Sequence, residues 1–146
     1  MTQINSYLTF NGNCRDAMLF YKDCFGGELV MQTIGESPMA DGMPADMKGY
    51  ILHSSLTNGN MVMMGTDCVP EQGLVKGNSV SLCINCSSEK EIKEYYKKLA
   101  QGGKTTYPLE NTHWGALFGG LIDKYGNHWL LNFQNETTPE KSLHIE

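Results

Sequence analysis

Positive charge, long apolar runs and a leader-like start are all scarce in this chain, and each scarcity removes a class of function. Lysine and arginine together number 11 against 16 aspartates and glutamates, a net charge of −5. That leaves no basic footprint for a nucleic-acid partner. Apolar runs such as Trp129-Leu130-Leu131 fall far short of the ~18 residues that a membrane-spanning helix needs. Met1 leads into Thr2-Gln3-Ile4-Asn5, with neither the basic nor the apolar stretch of a secretory signal. The expectation is a cytoplasmic protein with no membrane partner.

Cysteine chemistry is thin as well. The five cysteines are an odd number, and without secretion they are expected as free thiols. Cys83-Ile84-Asn85-Cys86 has CxxC spacing but closes a strand, whereas a redox pair opens a helix whose N-terminus lowers the thiol pKa. A zinc ribbon would need a second such pair. The glycosylation sequons Asn85-Cys86-Ser87 and Asn135-Glu136-Thr137 carry no meaning in a protein that is not secreted. No glycine-rich turn leads from a strand into a helix, because Gly26-Gly27 and Gly102-Gly103 follow helices. The usual cradle for a nucleotide-derived cofactor is therefore missing, and no cofactor is expected.

What is present is a repeat. Residues 4–65 and 79–132 share one order of signals, an apolar strand, a polar cap, a helix with paired aromatics, a Gly-Gly stop and further strands. Leu8-Thr9-Phe10-Asn11 runs into a helix with Phe20-Tyr21 that stops at Gly26-Gly27. Leu82-Cys83-Ile84-Asn85 runs into a helix with Tyr95-Tyr96 that stops at Gly102-Gly103. Each half closes on a Gly-Asn turn into an apolar strand, Gly59-Asn60-Met61 and Gly126-Asn127-His128. Equivalent features lie roughly 67 to 76 residues apart, too long and too few for a solenoid. A chain of 146 residues buries roughly 70% of its unfolded surface, enough for one domain of two fused halves.

The pattern predicts an α+β fold of two βαβββ modules. Module one spans about 1–66 and module two about 79–134, joined by a linker at 67–78 that holds Pro70, Gly73 and Gly77. Asn13 with Asp16, and Ser88 with Glu91, stand in capping-box positions. Ala17, Phe20, Tyr21 and Cys24 form one helical stripe, and Ile92, Tyr95, Tyr96 and Leu99 the other. Strands are expected at 4–10, 29–34, 50–56, 61–64, 80–85, 104–107, 116–122 and 128–133, with a polar, frayed tail beyond Phe133. Each stripe is about 100° wide, so each helix covers one sheet face and leaves the other bare. The two modules are expected to form a cupped antiparallel or mixed sheet, helices outside, whose bare faces enclose a cavity.

Several runs carry a resemblance. They are Tyr7-Leu8-Thr9-Phe10-Asn11-Gly12-Asn13, Phe20-Tyr21-Lys22 with Phe25-Gly26-Gly27, Met43-Pro44, Thr112-His113-Trp114-Gly115-Ala116 with Phe118-Gly119, and Asp123-Lys124-Tyr125-Gly126 with Trp129. Together they resemble the PhnB-like branch of the vicinal oxygen chelate superfamily, which includes glyoxalase I, extradiol dioxygenases and bleomycin-resistance proteins. The resemblance implies a single glyoxalase-like domain of paired modules over 1–146, often a homodimer. It also implies, in the metal-dependent members, ligands on the first and last strand of each module. By strand position these fall on Asn5 and Ser79, and on Met63 and Leu130. None of the four is a histidine or carboxylate, the donors a hard divalent ion wants, so no metal is expected there. His53, His113 and His128, with Asp67 and Asp123 at strand ends, offer another route. Only His128 is placed by strand alternation, so ordinary surface or hydrogen-bonded histidines are the preferred reading.

The expected lining is apolar with a few hydroxyl and amide groups, as in a small-molecule site. Asn5, Tyr7 and Thr9 share the cavity face, with Ser79, Ser81 and Cys83 on the matching strand, Met63, Leu130 and His128 on the closing strands, and Trp114 as an aromatic wall. The blander alternative is that Tyr7 and Trp114 fill core. Two functions follow. One is a metal-independent protein that binds a small organic molecule, as a homodimer burying Met61, Met63 and Leu130. The other is a lyase, transferase or isomerase acting on a small carbonyl or electrophile through His128, Tyr7 or Cys83. A methyltransferase label used for part of this family has no support in these residues. The segment 35–48, with Met39, Met43 and Met47, reads as a long structureless loop, either a lid over the cavity or over a partner's cavity in the dimer, or a mobile surface loop.

Overall fold

A computed structural model describes residues 2–135; the polar tail from Glu136 onward, with part of the second sequon, lies outside the described residues. The first module runs β1 (Ser6–Thr9), α1 (Cys14–Phe25), β2 (Glu28–Thr33), β3 (Ile51–Asn58) and β4 (Met61–Thr66). The second runs β5 (Leu82–Asn85), α2 (Glu89–Leu99), β6 (Lys104–Asn111), β7 (Ala116–Ile122) and β8 (His128–Gln134). The strand orders β1-β4-β3-β2 and β5-β8-β7-β6 are the same topology. In each sheet the first strand is parallel to the last, and the other pairings are antiparallel. Each module is thus a mixed four-stranded sheet with one helix, in an α+β fold of two βαβββ units. The chain divides into two compact units, Met1–Val75 and Lys76–Glu146.

Helix α1 forms because Cys14, Ala17, Met18, Tyr21, Cys24 and Phe25 recur on one face, and all are buried against the first sheet. Met18, absent from the expected stripe, is fully buried, while Phe20 is only half-buried. Removing a side chain such as Met18 or Tyr21 from water contributes roughly 1.5–3 kcal/mol. On α2 the buried anchors are Ile92 and Leu99, one above the other across two turns. Its outer face carries the ion pairs Lys90–Glu94 and Lys93–Glu89, exposed i, i+4 pairs of small value.

The segments leaving both helices press closely on a hairpin. Gly26 takes a φ of +73° at the α1 C-cap, where its N–H donates to the Lys22 carbonyl. A Cβ on Gly27 would lie 2.5 Å from the Thr57 carbonyl oxygen, and one on Gly103 would lie 2.2 Å from the Ile122 carbonyl oxygen. Thr57 pairs with Val62, and Ile122 with His128, so the two acceptors occupy equivalent places in the closing hairpins. The second glycine of each pair lets the helix exit press against a hairpin backbone.

Three expectations change. The Asn13 side chain makes no cap hydrogen bond. Instead the Asp67 carboxylate, beyond the end of β4, accepts from the Gly12 and Cys14 amides at 2.9 and 3.0 Å and from the Ile51 amide at 2.8 Å. The segment 35–48 is not structureless, because 3-10 turns occupy Ile34–Glu36, Pro38–Ala40 and Ala45–Met47. The first is set by a capping box between Thr33 and Glu36, whose hydrogen bonds hold the Glu36 carboxyl below its ordinary pKa. Strand β6 runs on to Asn111 rather than stopping at Tyr107; Pro108 is tolerated because β6 is an edge strand.

Candidate ligand-binding faces

Two glycines fix which sheet face is which. A Cβ on Gly65 would meet Met18 and Cys14, so β4 turns Gly65 toward α1. A Cβ on Gly119 would meet the Tyr96 ring, so β7 turns Gly119 toward α2. Alternation along the strands then assigns the remaining residues, and directly paired residues share a face.

In the first module Tyr7 pairs with Met64, Met64 with Ser55, and Ser55 with Val30. These four leave the sheet on the face away from α1. Tyr7 and Val30 are 52% and 61% exposed. His53 joins them: its ring centroid lies 5.9 Å from that of Tyr7, and its Nδ1 lies 3.5 Å from the Tyr7 hydroxyl. Thr9, paired with Thr66, belongs to the same face at its end, and Asn5 sits exposed just ahead of β1. Met63, expected here, lies on the other side. It is 3% exposed, pairs with the buried Leu56 and shares the α1 face with Gly65.

In the second module the face away from α2 carries Cys83, Leu130 and Gly120 in paired positions, then His128 with Ile122, and Asn132 with Phe118. Asn132 donates to the side-chain oxygen of Asn85 at 3.3 Å. Rings gather at this face. Trp114 meets Phe118 at 6.1 Å between centroids, Phe118 meets Tyr107 at 6.4 Å, and His113 stands edge-on to Trp114 at 5.0 Å. Gly115, at φ +84°, makes the tight turn from Trp114 into β7, and the Thr112 hydroxyl bonds both polar groups of Ala116. Ser81 is exposed beside β5, but Ser79 lies in a bend outside the strand.

Paired registers also correct the matching of the two halves. Ser6 pairs with Met63 and Leu82 with Trp129, so Asn5 corresponds to Ser81, and Met64, not Met63, corresponds to Leu130. Met64, Tyr107 and Phe118 were absent from the expected lining, and His53, weighed there only as a metal ligand, joins the open face. The alternation that buries Gly65 and Gly119 against helices was the available signal.

A family model described as 3-demethylubiquinone-9 3-methyltransferase matches residues 2–132. The chain belongs to this family. The PhnB-like resemblance read from the sequence agrees with that family. The PA1353 protein of Pseudomonas aeruginosa is 36% identical, with 92% of this chain and 98% of that one covered and a TM-score of 0.81. The PhnB protein of Bacillus cereus is 29% identical over 90% of this chain and 99% of its own, with a TM-score of 0.74. Protein YjdN of Escherichia coli K12 is 29% identical over 88% of this chain and 93% of its own. Beyond the family, the fold alone is shared with a glyoxalase/bleomycin resistance protein/dioxygenase family enzyme of Burkholderia phytofirmans. That protein is 15% identical, with 89% and 98% covered and a TM-score of 0.59.

Two groups implied by these relationships do not fit the residues of this PhnB-like chain. At the superfamily's metal positions the corrected register offers Asn5, Ser81, Met64 and Leu130, a set with no carboxylate or imidazole. Among the described residues no group of three or more His, Cys, Asp or Glu side chains gathers to hold an ion. Many nucleotide-derived cofactors sit at a glycine-rich turn opening a helix, and neither helix here offers that cradle. Asp67 occupies the N-terminus of α1, and the Ser88 hydroxyl and Glu91 carboxylate occupy that of α2. The thiols are no better placed. Burial pushes Cys14 up to about 11 and Cys86 up to about 12, and raises Cys83 as well. Cys83 stands exposed on the open face while Cys86 is buried beyond the strand end.

Proposed function

We propose that this PhnB-like protein is a metal-independent, cytoplasmic small-molecule-binding protein, a single glyoxalase-like domain acting as a homodimer. The observation that carries the reading is the lining of the open sheet faces. Tyr7, Met64 and Val30 on one sheet, and Leu130, Phe118, Tyr107 and Trp114 on the other, present apolar and aromatic surface on a rigid scaffold. Ser55, Asn85, Asn132 and His128 add a few polar groups to those faces. Sites for small organic molecules have this make-up. The 3-10 segment with half-exposed Met39 supplies adaptable apolar contact to the ligand. No described helix is long and apolar enough to cross a membrane.

Native mass spectrometry of the purified chain, before and after chelator treatment, tests this. The expected result is an organic adduct that survives metal removal and is lost on Leu130→Asp. An adduct that departs with a stoichiometric metal overturns the reading. Sedimentation at micromolar concentration tests the dimer, and a monomeric mass removes it.

One contact favours a second reading, an enzyme acting on a small carbonyl or electrophilic compound. The Tyr7 hydroxyl and His53 Nδ1 lie 3.5 Å apart on an exposed face, a donor–acceptor pair of the kind that moves protons. Under this reading Tyr7→Phe and His53→Gln abolish turnover while leaving ligand retention intact. Loss of retention alone returns the pair to a binding role.

A further inference from the structure

The second module's open face holds a carboxylate among its rings. Glu110 is the paired partner of Phe118 across β6 and β7, so both side chains leave the sheet on the same side. The register of β6 shifts between Tyr107 and Glu110. Those two residues therefore share the open face although they are three apart, while Leu109 between them turns inward against Gly119. Opposite Tyr107 stands Gly120, where a Cβ would lie 2.8 Å from the tyrosine ring. Only glycine lets that ring lie close over the sheet. Trp114 and Tyr107 are tilted 66° and 50° to Phe118, and along β7 Phe118 lies between the turn that carries Trp114 and the position paired with Tyr107. Trp114 is 47% and Tyr107 58% exposed, and Glu110 is exposed beside them.

Ring faces are negative by virtue of their quadrupole, and the carboxylate adds a full negative charge beside them. An anion is repelled by both features. A neutral apolar ligand gains from the rings but nothing from Glu110. A large, weakly hydrated cation gains from both, and the net charge of −5 favours its approach. We infer that Trp114, Phe118, Tyr107 and Glu110 form a binding site for an organic cation carrying a quaternary or alkylated ammonium group. The inference rests on the reading of the open face as a ligand site and names its chemical class.

Choline and its neutral carbon isostere, 3,3-dimethylbutan-1-ol, are the probes, titrated into the full ¹⁵N-labelled chain. The chain has two tryptophans, so two indole N–H signals report. Trp129 is 3% exposed and donates to Asp123 at 2.8 Å, which makes it an internal reference. The expected result is that choline shifts the Trp114 signal, leaves that of Trp129 in place, and binds about tenfold more tightly than the isostere. Glu110→Gln, a change at an exposed position, should remove most of that preference while the Trp129 signal stays native. Equal affinity for the two probes overturns the cation site and leaves small-molecule binding standing. No movement of Trp114 with choline also overturns it, and the native mass experiment then decides the broader reading on its own.

Discussion

Helix α1 takes its N-terminal acceptor from Asp67, more than fifty residues along the chain, whereas α2 takes its own from Ser88, whose hydroxyl accepts from Glu91 at 3.0 Å, within one turn. The modules differ again at another matched position. Asn58 and Asp123 each follow the hairpin residue that presses on a helix-ending glycine. Asn58 donates its amide to the Phe25 carbonyl at 2.8 Å and so ties the hairpin to the helix end. Asp123 plays the opposite part. It accepts instead from the Tyr125 and Asn127 amides and from the Trp129 indole, stapling its own turn. One topology tolerates opposite hydrogen-bond polarity at the same place, provided each polar group finds its complement. The open faces follow the same lesson, with a Tyr–His contact on one sheet and a row of rings with a carboxylate on the other.

Breaking the two carboxylates should give the largest effects. Asp67→Ala leaves three backbone donors without their acceptor, and Asp123→Ala does the same to two amides and an indole. Each should cost about 4 kcal/mol in urea denaturation, since bonds to a buried charge are worth more than neutral ones. A cost below about 1 kcal/mol would mean water replaces the carboxylate. Next come Gly27→Ala and Gly103→Ala, where a methyl group meets carbonyl oxygens at 2.5 and 2.2 Å. Both should lose about 3 kcal/mol, and a tolerated substitution in one module alone would break the equivalence of the helix stops.

The caps separate more finely. Ser88→Ala should cost about 1 kcal/mol, whereas Asn13→Ala should change stability by less than about 0.5 kcal/mol because its side chain does no capping. Equal costs would show that Asn13 shares the work of Asp67. The smallest effect is expected from Met39→Ser and Met43→Ser, within roughly 0.5 kcal/mol of the parent while weakening ligand retention. A large loss would make these methionines part of the first module's core.

Local signals were enough to write down much of this protein. The repeat, the order of elements, the Gly-Gly stops, the Ser88 cap and the family resemblance are all local in the chain. They depend on 3.6- and 2-residue periodicities and on residues with special backbone preferences. The first 3-10 turn was legible too, since Thr33-x-x-Glu36 is a capping box, but the run of Gly and Pro after it masked the signal. Tertiary structure decided the rest. Asp67 could be assigned to the α1 cap only once β4 lay beside β1, and Met64 replaces Met63 on the open face because a single-residue step in register reverses every side chain. Glu110 reached the rings through an irregular β6–β7 register that no periodicity announces. Local propensity sets which elements form, whereas the partner of each side chain depends on pairings between strands far apart in sequence, and those are settled only when the sheet assembles.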